Sequence, residues 1–455
     1  MAPVNMAPVN TANPKPRTAG SPGRDATGMG LAILNKLARL PMIDRLRLRH
    51  PVERAVYQGT RVGFRSAGVA ARTFASVQQR KAPVRPASAS SSGLFDLTQS
   101  DEQKLISEAT RDFAAKELRP AAADADTACQ APPTLLARAA TELGVTFVTV
   151  PDELGGAAAQ RSAVTNVLVA EALAHGDLGL AVAVLAPAAV SSALALWGDE
   201  RQQATYLPSF VGDDVPVAAL AILEPTPLFD PFALATTARR KGNGYQLDGL
   251  KSLVPGAAQA ELFVVAAQLE GRPTLFLLES DTPGLSIESE PAMGLRAAAT
   301  GRVLLDQVSV AGTARLGTAE DYADCVRLSR IGWSALAVGT AQAVLDYVIP
   351  YVNERTAFGE PVSHRQSVAF MVADIGIELE GMRLATYRAA SRAEQGKSYA
   401  RETALARRLA AEYGMQIGSN GVQLLGGHGF VKEHPVERWY RDLRAVGLME
   451  GAVLV

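Results

Sequence analysis

The order of secondary-structure patterns along this chain restricts its fold more than any single motif does. Residues 97–210 and 319–449 carry apolar side chains at the three- and four-residue spacing of helices. Between them, residues 215–313 contain short runs of β-forming residues separated by Gly, Pro, Asn and Asp, which predicts antiparallel strands. Because the strands form one block instead of alternating with helices, a doubly wound dinucleotide-binding fold is not favoured.

The chain is long enough to form several domains. Its 455 residues are 48% apolar and 20% charged, so most of the chain is expected to fold around a core. The patterns therefore predict an α+β, multi-domain fold. The predicted divisions are a basic leader (1–94), an N-terminal helical domain (95–212), a middle β domain (213–316) and a C-terminal helical bundle (317–455).

Charge is unevenly distributed along the chain. Residues 1–95 hold fifteen Lys and Arg against three acids, a net charge of +12, whereas the rest of the chain carries −13. Residues 1–30 are rich in Pro, Gly and Ala, which predicts disorder. Residues 31–54 place leucines at helical spacing among basic residues, which predicts a short amphipathic helix. Residues 86–93, PASASSSG, are typical of a flexible linker.

Several interpretations of this leader remain open. The first is a solvated or domain-docking basic arm. The second is a peripheral membrane contact through residues 31–54, and the third is an arm that binds nucleic acid by charge alone. Its Arg- and Ser-rich, acid-poor composition also resembles an organelle transit peptide, and it shows no secretory signal. Cys129 and Cys325 lie far apart without metal-ligand spacing, so we predict a cytoplasmic location and no metal site.

One segment has the length of a membrane span. Residues 178–198 contain no charged side chain, and Asp177 and Asp199 bound them. The segment also contains Pro187 and many alanines, and alanine contributes little to membrane insertion. We therefore predict a buried helix pair within a helical domain at this place.

Three stretches near the C-terminus carry a resemblance to a known family. They are NERTAFGEPVSHRQ at 353–366, QLLGGHGFVKEHPVERWYRD at 423–442 and LMEG at 448–451. With these motifs, and with YLPSFVGDD and VLLDQVSV upstream, the chain resembles the flavin-dependent acyl-CoA dehydrogenases from about residue 95 onward. The resemblance implies an N-terminal helical domain, a middle antiparallel β-barrel and a C-terminal four-helix bundle.

The resemblance also implies FAD as cofactor and a site for it. Arg355 and Phe358 match residues that hold the FAD of a neighbouring subunit, and Gln423, Gly426 and Gly427 match residues near the adenosine diphosphate of the same FAD. A guanidinium suits a pyrophosphate, and glycines let backbone amides approach a ligand closely. These residues are therefore expected to act in a dimer or tetramer, either of identical or of different subunits.

A catalytic base follows from the same resemblance. Glu450 matches the carboxylate that takes the α-proton of an acyl-CoA thioester while FAD accepts a hydride, giving a trans-2-enoyl-CoA. Arg330 matches an Arg that follows the base on a helix in some members, and we predict that it binds substrate. The preceding residue is Ser329, so only Glu450 fits either pattern. An electron-transfer flavoprotein is the implied electron acceptor.

The flavin-ring contacts depart from the family pattern. The family sequence Thr-Glu-Pro-Gly-x-Gly-Ser-Asp becomes LEPTPLFD at 223–230, where Leu223 replaces a Thr that contacts the ring and Phe229 replaces a Ser that contacts phosphate. In KSLVPG, Leu253 replaces the Trp behind the ring and Pro255 replaces the Thr near its N5 atom. The ring face of this subunit is therefore expected to lack hydrogen-bonding side chains.

Two further departures lie in the C-terminal part. Ala452 stands where the family begins a closing segment, and Pro350 is expected to interrupt a helix. Three interpretations remain open. The chain is a dehydrogenase whose backbone amides hold the flavin ring, a subunit that lends its residues to a competent partner, or an inactive relative whose basic leader binds membrane or nucleic acid. The dehydrogenase is our first expectation.

Overall fold

The computed structural model describes residues 98–157, 162–212 and 214–455. The predicted basic leader and its amphipathic helix lie outside the described residues. Within the described part, a block of helices precedes a sheet, and a second block of helices follows it. The predicted α+β organisation, with helical domains on both sides of a middle sheet domain, is confirmed.

The N-terminal block begins as its sequence indicates. Ser100 and Gln103 form a capping box, in which each side chain accepts a hydrogen bond from the other residue's backbone N–H. A π-helical stretch, Ala114–Leu118, joins the first two helices. The helices are α1 (Asp101–Phe113), α2 (Arg119–Ala128), α3 (Pro133–Leu143), α4 (Ala163–Gly176), α5 (Leu178–Trp197) and α6 (Glu200–Tyr206).

The uncharged stretch forms one helix, α5, so the predicted helix pair is wrong. Pro187 lies inside this helix and removes one backbone donor, but most residues of the helix are buried, and their packing holds it in spite of this loss. Two described helices, α5 and Ala319–Glu354, have the length and hydropathy of a membrane span. In α5, 83% of the most apolar window is buried inside the fold, as in the core helix of a helical domain.

The middle block forms an eight-stranded sheet. The hydrogen-bonded order is β6-β7-β3-β2-β4-β5-β8, and β1 pairs with β4. Most pairs are antiparallel, as predicted, but β1 and β2 each run parallel to β4, which the sequence did not indicate. The strands are β1 (Ala218–Ala221), β2 (Thr237–Lys241), β3 (Gly244–Val254), β4 (Leu262–Leu269), β5 (Arg272–Glu279), β6 (Leu285–Ser289), β7 (Gly301–Ala311) and β8 (Arg315–Leu316).

The C-terminal block is a bundle of long helices. Its elements are α7 (Ala319–Glu354), the short strands β9 (Thr356–Ala357) and β10 (Glu360–Pro361), and then α8 (Gln366–Glu394), α9 (Ala400–Leu424) and α10 (Val436–Val446). The predicted break at Pro350 is wrong, because α7 continues through it to Glu354. Pro350 is exposed, so the carbonyl that loses its partner four residues earlier lies on the solvent side of the helix.

Buried carboxyl groups join α10 to the two blocks that precede it. Asp177 caps α5 by accepting the Leu180 N–H at 3.0 Å, and it also accepts a hydrogen bond from Arg438 of α10 at 2.9 Å. Asp442, one turn further along α10, accepts the N–H of Leu295 at 2.7 Å. Burial and then the charge of Asp177 raise the pKa of Asp442 to about 8. This network fixes α10 and the segment after it, which carries the candidate base.

Candidate active site

Glu450 lies just beyond α10, where the chain crosses between the sheet and the bundle. The next residue, Gly451, forms a β-bridge with Ala221 of β1. The Gly451 carbonyl accepts hydrogen bonds from Ser329 Oγ at 2.8 Å and from Trp333 Nε1 at 2.7 Å, both on α7. Glu450 is only 7% exposed in this position. Ser329, which occupies the alternative base position, therefore supports the segment that carries Glu450.

Arg330 and Glu450, predicted separately from the sequence, are brought together. Arg330 Nε lies 3.0 and 3.1 Å from the two carboxylate oxygens, and its Nη2 donates to Oε1 at 2.6 Å. A second guanidinium, that of Arg407 on α9, lies 3.8 Å from Oε1. Burial lowers the pKa of Arg407, and the nearby Glu450 carboxylate opposes this shift.

The expected lone carboxylate in a dry pocket is therefore an ion-paired one. Its oxygens are occupied by Arg330 in this arrangement. Arg330 keeps 26% of its side chain exposed, whereas the Arg407 side chain is only 12% exposed. A carboxylate oxygen can accept a proton from a ligand only when Arg330 no longer occupies it.

A buried ion pair holds together the two segments that correspond to the flavin-ring motifs. Lys251 is fully buried, and its Nζ donates to Glu224 at 2.7 Å and to the Ile222 carbonyl at 3.2 Å. Glu224 also accepts the backbone N–H groups of Ala235 and Thr236, at 2.7 and 2.9 Å. Burial lowers the pKa of Lys251 to about 8, against the opposing effect of Glu224. This pair aligns LEPTPLFD with KSLVPG.

The side chains at the ring-contact positions are apolar, as expected. Leu223 is buried, and Phe229 and Leu253 pack partly buried against the same core. Leu253 has a left-handed φ of 50°, and the backbone of Ser252 donates to the Leu223 carbonyl at 2.9 Å. An aromatic ring system can pack on such a wall, but any hydrogen bond to it from these three positions must come from the backbone.

The five predicted cofactor residues lie on the outer surface of the bundle. Phe358 is 96% exposed with a φ of 56°, and the Arg365 guanidinium lies 5.5 Å from its ring centre. A Cβ built on Gly426 or Gly427 meets no atom within 4 Å. The open glycine backbone fits close approach by a dinucleotide from outside the subunit. The other two residues, Arg355 and Gln423, are exposed as well.

Tyr351 connects the two parts of this surface. Its hydroxyl donates to the Leu425 carbonyl at 3.3 Å, next to the glycine turn. One helical turn later, the Arg355 N–H donates to the Tyr351 carbonyl at 2.9 Å. The hydroxyl also shares a hydrogen bond with His428 Nδ1 at 2.8 Å. The chemistry of this set, one cation, one aromatic face and a glycine turn, fits the adenosine-diphosphate end of FAD.

A cavity of about 520 Å³ lies in the N-terminal block, against the segment that follows Glu450. It is lined by both polar and apolar side chains of α1, α4 and α5 and by Val453, Leu454 and Val455. Because a chain advances at most about 3.6 Å per residue, Val453 lies within roughly 11 Å of Glu450. The wall that Val453 forms therefore lies within that distance of Glu450, which is not itself a lining residue.

Arg407 is the site residue that sequence reasoning missed. It follows Ala406 on α9, on a face whose other members, Thr403, Ala410 and Gly414, are buried. A charged residue at the spacing of a buried helical face is a signal for a partnered internal charge. The resemblance assigns residues at the end of α9 and none in its middle.

Comparisons with known proteins agree with one family over most of the described part. Sequence models of the acyl-CoA dehydrogenase N-terminal, middle and C-terminal domains match residues 100–214, 219–308 and 323–453. The mouse mitochondrial short-chain specific acyl-CoA dehydrogenase is 31% identical over 361 residues, covering 77% of this chain and 87% of the relative.

Solved structures show the same likeness. The butyryl-CoA dehydrogenase of Megasphaera elsdenii is 28% identical with a TM-score of 0.71, covering 78% of this chain and 96% of that one. The FAD complex of PigA is 26% identical with a TM-score of 0.72, with the same two coverages, 78% and 96%.

Proposed function

Because this chain belongs to the acyl-CoA dehydrogenase family, we propose that it oxidises the Cα–Cβ bond of an acyl-CoA thioester to a trans-2-enoyl-CoA, with FAD as cofactor. Members of this family are oxidoreductases that act on CH–CH groups. The observation that carries the proposal is the Glu450 carboxylate. It is buried, held at a junction of sheet and bundle, and adjacent to the segment that lines the cavity.

Glu450 acts as the general base in this proposal. The α-proton of a thioester is weakly acidic, so a carboxylate must lie against it where water is excluded. Arg330 holds the carboxylate until substrate arrives and then withdraws, which frees one oxygen for the proton. The proton moves from the α-carbon to Glu450, and the pair of electrons left behind forms the new double bond as a hydride leaves the β-carbon. Bound FAD supplies the acceptor for that hydride.

Residues of two subunits hold the cofactor in this proposal. Arg355, Phe358, Gln423, Gly426 and Gly427 of one subunit contact the adenosine diphosphate, since they lie exposed and away from their own subunit's core. Family members form oligomers, which supplies the second subunit. The ring packs on the apolar side chains at the diverged positions and takes its hydrogen bonds from backbone groups.

We propose a short acyl chain as substrate. The cavity is modest in size, and the side chains of Val453 and Leu454 occupy its wall within a few residues of the base. The names of the mouse relative and of the Megasphaera structure, which refer to short-chain and butyryl substrates, agree with this choice. An electron-transfer flavoprotein is the proposed acceptor for the second half-reaction. A cytoplasmic location remains a prediction.

A visible spectrum of the purified full-length chain tests this proposal. The protein is expected to be yellow, or to become yellow with added FAD, and to bleach under anaerobic addition of butyryl-CoA or hexanoyl-CoA. A chain that takes up no FAD by itself would overturn the self-sufficient enzyme. Flavin uptake only with a homologous partner subunit would identify the partner-dependent subunit instead.

A further inference from the structure

The Arg407 guanidinium hydrogen-bonds to the backbone of the segment that leads to Glu450. One of its Nη atoms donates to the carbonyl of Val446, and the other donates to the carbonyl of Met449 at 2.7 Å. The side chain reaches these atoms from α9, where the small neighbours Ala406 and Ala410 leave room for it. Burying a guanidinium is costly unless its donors are satisfied, and these carbonyls satisfy two of them.

The carbonyl of Val446 is a backbone acceptor at the end of α10. The residue after it, Gly447, has a φ of −70°, so α10 does not end in the left-handed cap that usually satisfies such carbonyls. Arg407 supplies the missing donor, and its positive charge suits the negative end of the helix dipole. Arg407 therefore ends α10 and sets the direction in which the chain continues toward Glu450.

The same guanidinium also lies beside the Glu450 carboxylate. It lies 3.8 Å from Oε1, beyond hydrogen-bonding distance but close enough for strong attraction at a buried site. Arg330 is a quarter exposed and hydrogen-bonds to Glu450, whereas Arg407 is more buried and hydrogen-bonds to two backbone carbonyls. When substrate displaces Arg330, Arg407 is the cation that stays.

We propose that Arg407 is a positioning residue for the dehydrogenation. It fixes the segment that carries Glu450 and keeps one positive charge beside the carboxylate throughout the reaction. The role requires a planar guanidinium, because one side chain contacts two carbonyls, three residues apart, and also approaches a carboxylate. Lysine offers the charge but only one nitrogen. This inference rests on the proposed function for its kinetic part and on the contacts alone for its structural part.

Hydrogen–deuterium exchange of the full-length protein tests the structural part. Arg407→Met removes both backbone hydrogen bonds, so amides of residues 447–451 should exchange roughly ten- to a hundredfold faster. Arg407→Lys should give an intermediate rate. The matched control is Arg408→Met, since Arg408 is 77% exposed and pairs with Glu412 at 2.9 Å. Exchange at the wild-type rate in Arg407→Met would overturn the proposal, whether or not the enzyme turns over.

Steady-state kinetics with butyryl-CoA test the catalytic part. In Arg407→Met, kcat should fall by about a hundredfold with little change in KM, because the base is misplaced after substrate has bound. The acid limb of the kcat profile should move to higher pH in Arg407→Met and stay in place in Arg407→Lys, which keeps the charge. Equal losses in both variants with unmoved limbs would contradict positioning. Absence of turnover in the wild type would count against the proposed function, and the exchange result would still decide the role of Arg407.

Discussion

Arg330 and Glu450 form a two-point ion pair across 120 residues of sequence, with donor–acceptor distances of 2.6 to 3.1 Å. The pair joins α7 to the segment after α10. As long as it persists, the carboxylate has its oxygens engaged and is poorly placed to take a proton. The proposed base is therefore engaged in this arrangement and becomes available only when the pair opens.

Arg330→Met should lower the free energy of unfolding by about 1–3 kcal/mol, because it leaves the buried Glu450 with Arg407 alone. We expect a smaller loss of unfolding free energy than for a fully buried pair, because Arg330 is partly exposed. Urea unfolding measures the change. Arg327→Met is the control, since Arg327 lies one turn earlier and pairs with Asp324 at the surface. Its effect should stay within about 0.5 kcal/mol, and equal effects of both variants would contradict the assignment.

Asp442 should make the stability depend on pH. Its pKa is raised to about 8 in the folded protein, from an ordinary value of 3.8, so the folded state holds a proton that the unfolded chain releases. This stabilisation is complete below about pH 4 and is lost as the pH rises toward 8, by at most about 1.4 kcal/mol per pH unit. Asp442→Asn keeps an acceptor for Leu295 and removes the titration.

Urea unfolding at pH 5 and pH 8 separates the two proteins. The wild type should lose stability between these values, and Asp442→Asn should lose distinctly less. An identical decline in both proteins would show that Asp442 does not hold the proton.

Gly427→Val should weaken FAD retention without weakening the fold. A Cβ at this position meets no atom of its own subunit within 4 Å, so the thermal midpoint should stay nearly unchanged. It would instead block a ligand that approaches from outside, and FAD retained per chain should fall about tenfold or more. Gly212→Val, at another open glycine in a loop, is the control and should retain FAD. Normal FAD retention in Gly427→Val would show that the glycine turn does not contact FAD.

The outer face of α8 should form a contact between subunits. Phe370, Ile377 and Leu384 are exposed apolar residues that recur every seven positions, so they lie along one side of the helix. Ile377→Glu should shift the protein to a smaller species in size-exclusion chromatography with light scattering. Leu105→Glu on α1 is comparably exposed and should leave the oligomer intact. An unchanged mass in Ile377→Glu would exclude this face.

The sequence predicts those parts of the molecule that local pattern determines. The helix–sheet–helix order follows from periodicity, and the exposed glycine turn follows from its motif. The helix break predicted at Pro350 was wrong, because solvent on one side of α7 lets the helix tolerate a missing backbone donor. The helix pair predicted at α5 was also wrong, because burial on several sides keeps one long helix intact around Pro187.

The electrostatics of the site depends on contacts between distant residues. Glu224 and Lys251 are 27 residues apart, and Arg330 and Glu450 are 120 apart. The spacing of residues along the sequence does not predict such pairs, because they depend on how β1, β3 and α7 pack. The resemblance named Arg330 and Glu450 without indicating that they pair. Arg407 was detectable in principle from the small-residue face around it.

Anaerobic reduction of FAD-loaded protein by butyryl-CoA, in wild type and in Glu450→Gln, tests whether Glu450 is the base. Glutamine keeps the size of the side chain but cannot take the α-proton. We expect the wild-type flavin band to bleach within the mixing time of a spectrophotometer, while Glu450→Gln keeps the same band and does not bleach. Bleaching of Glu450→Gln at the wild-type rate would show that another group is the base.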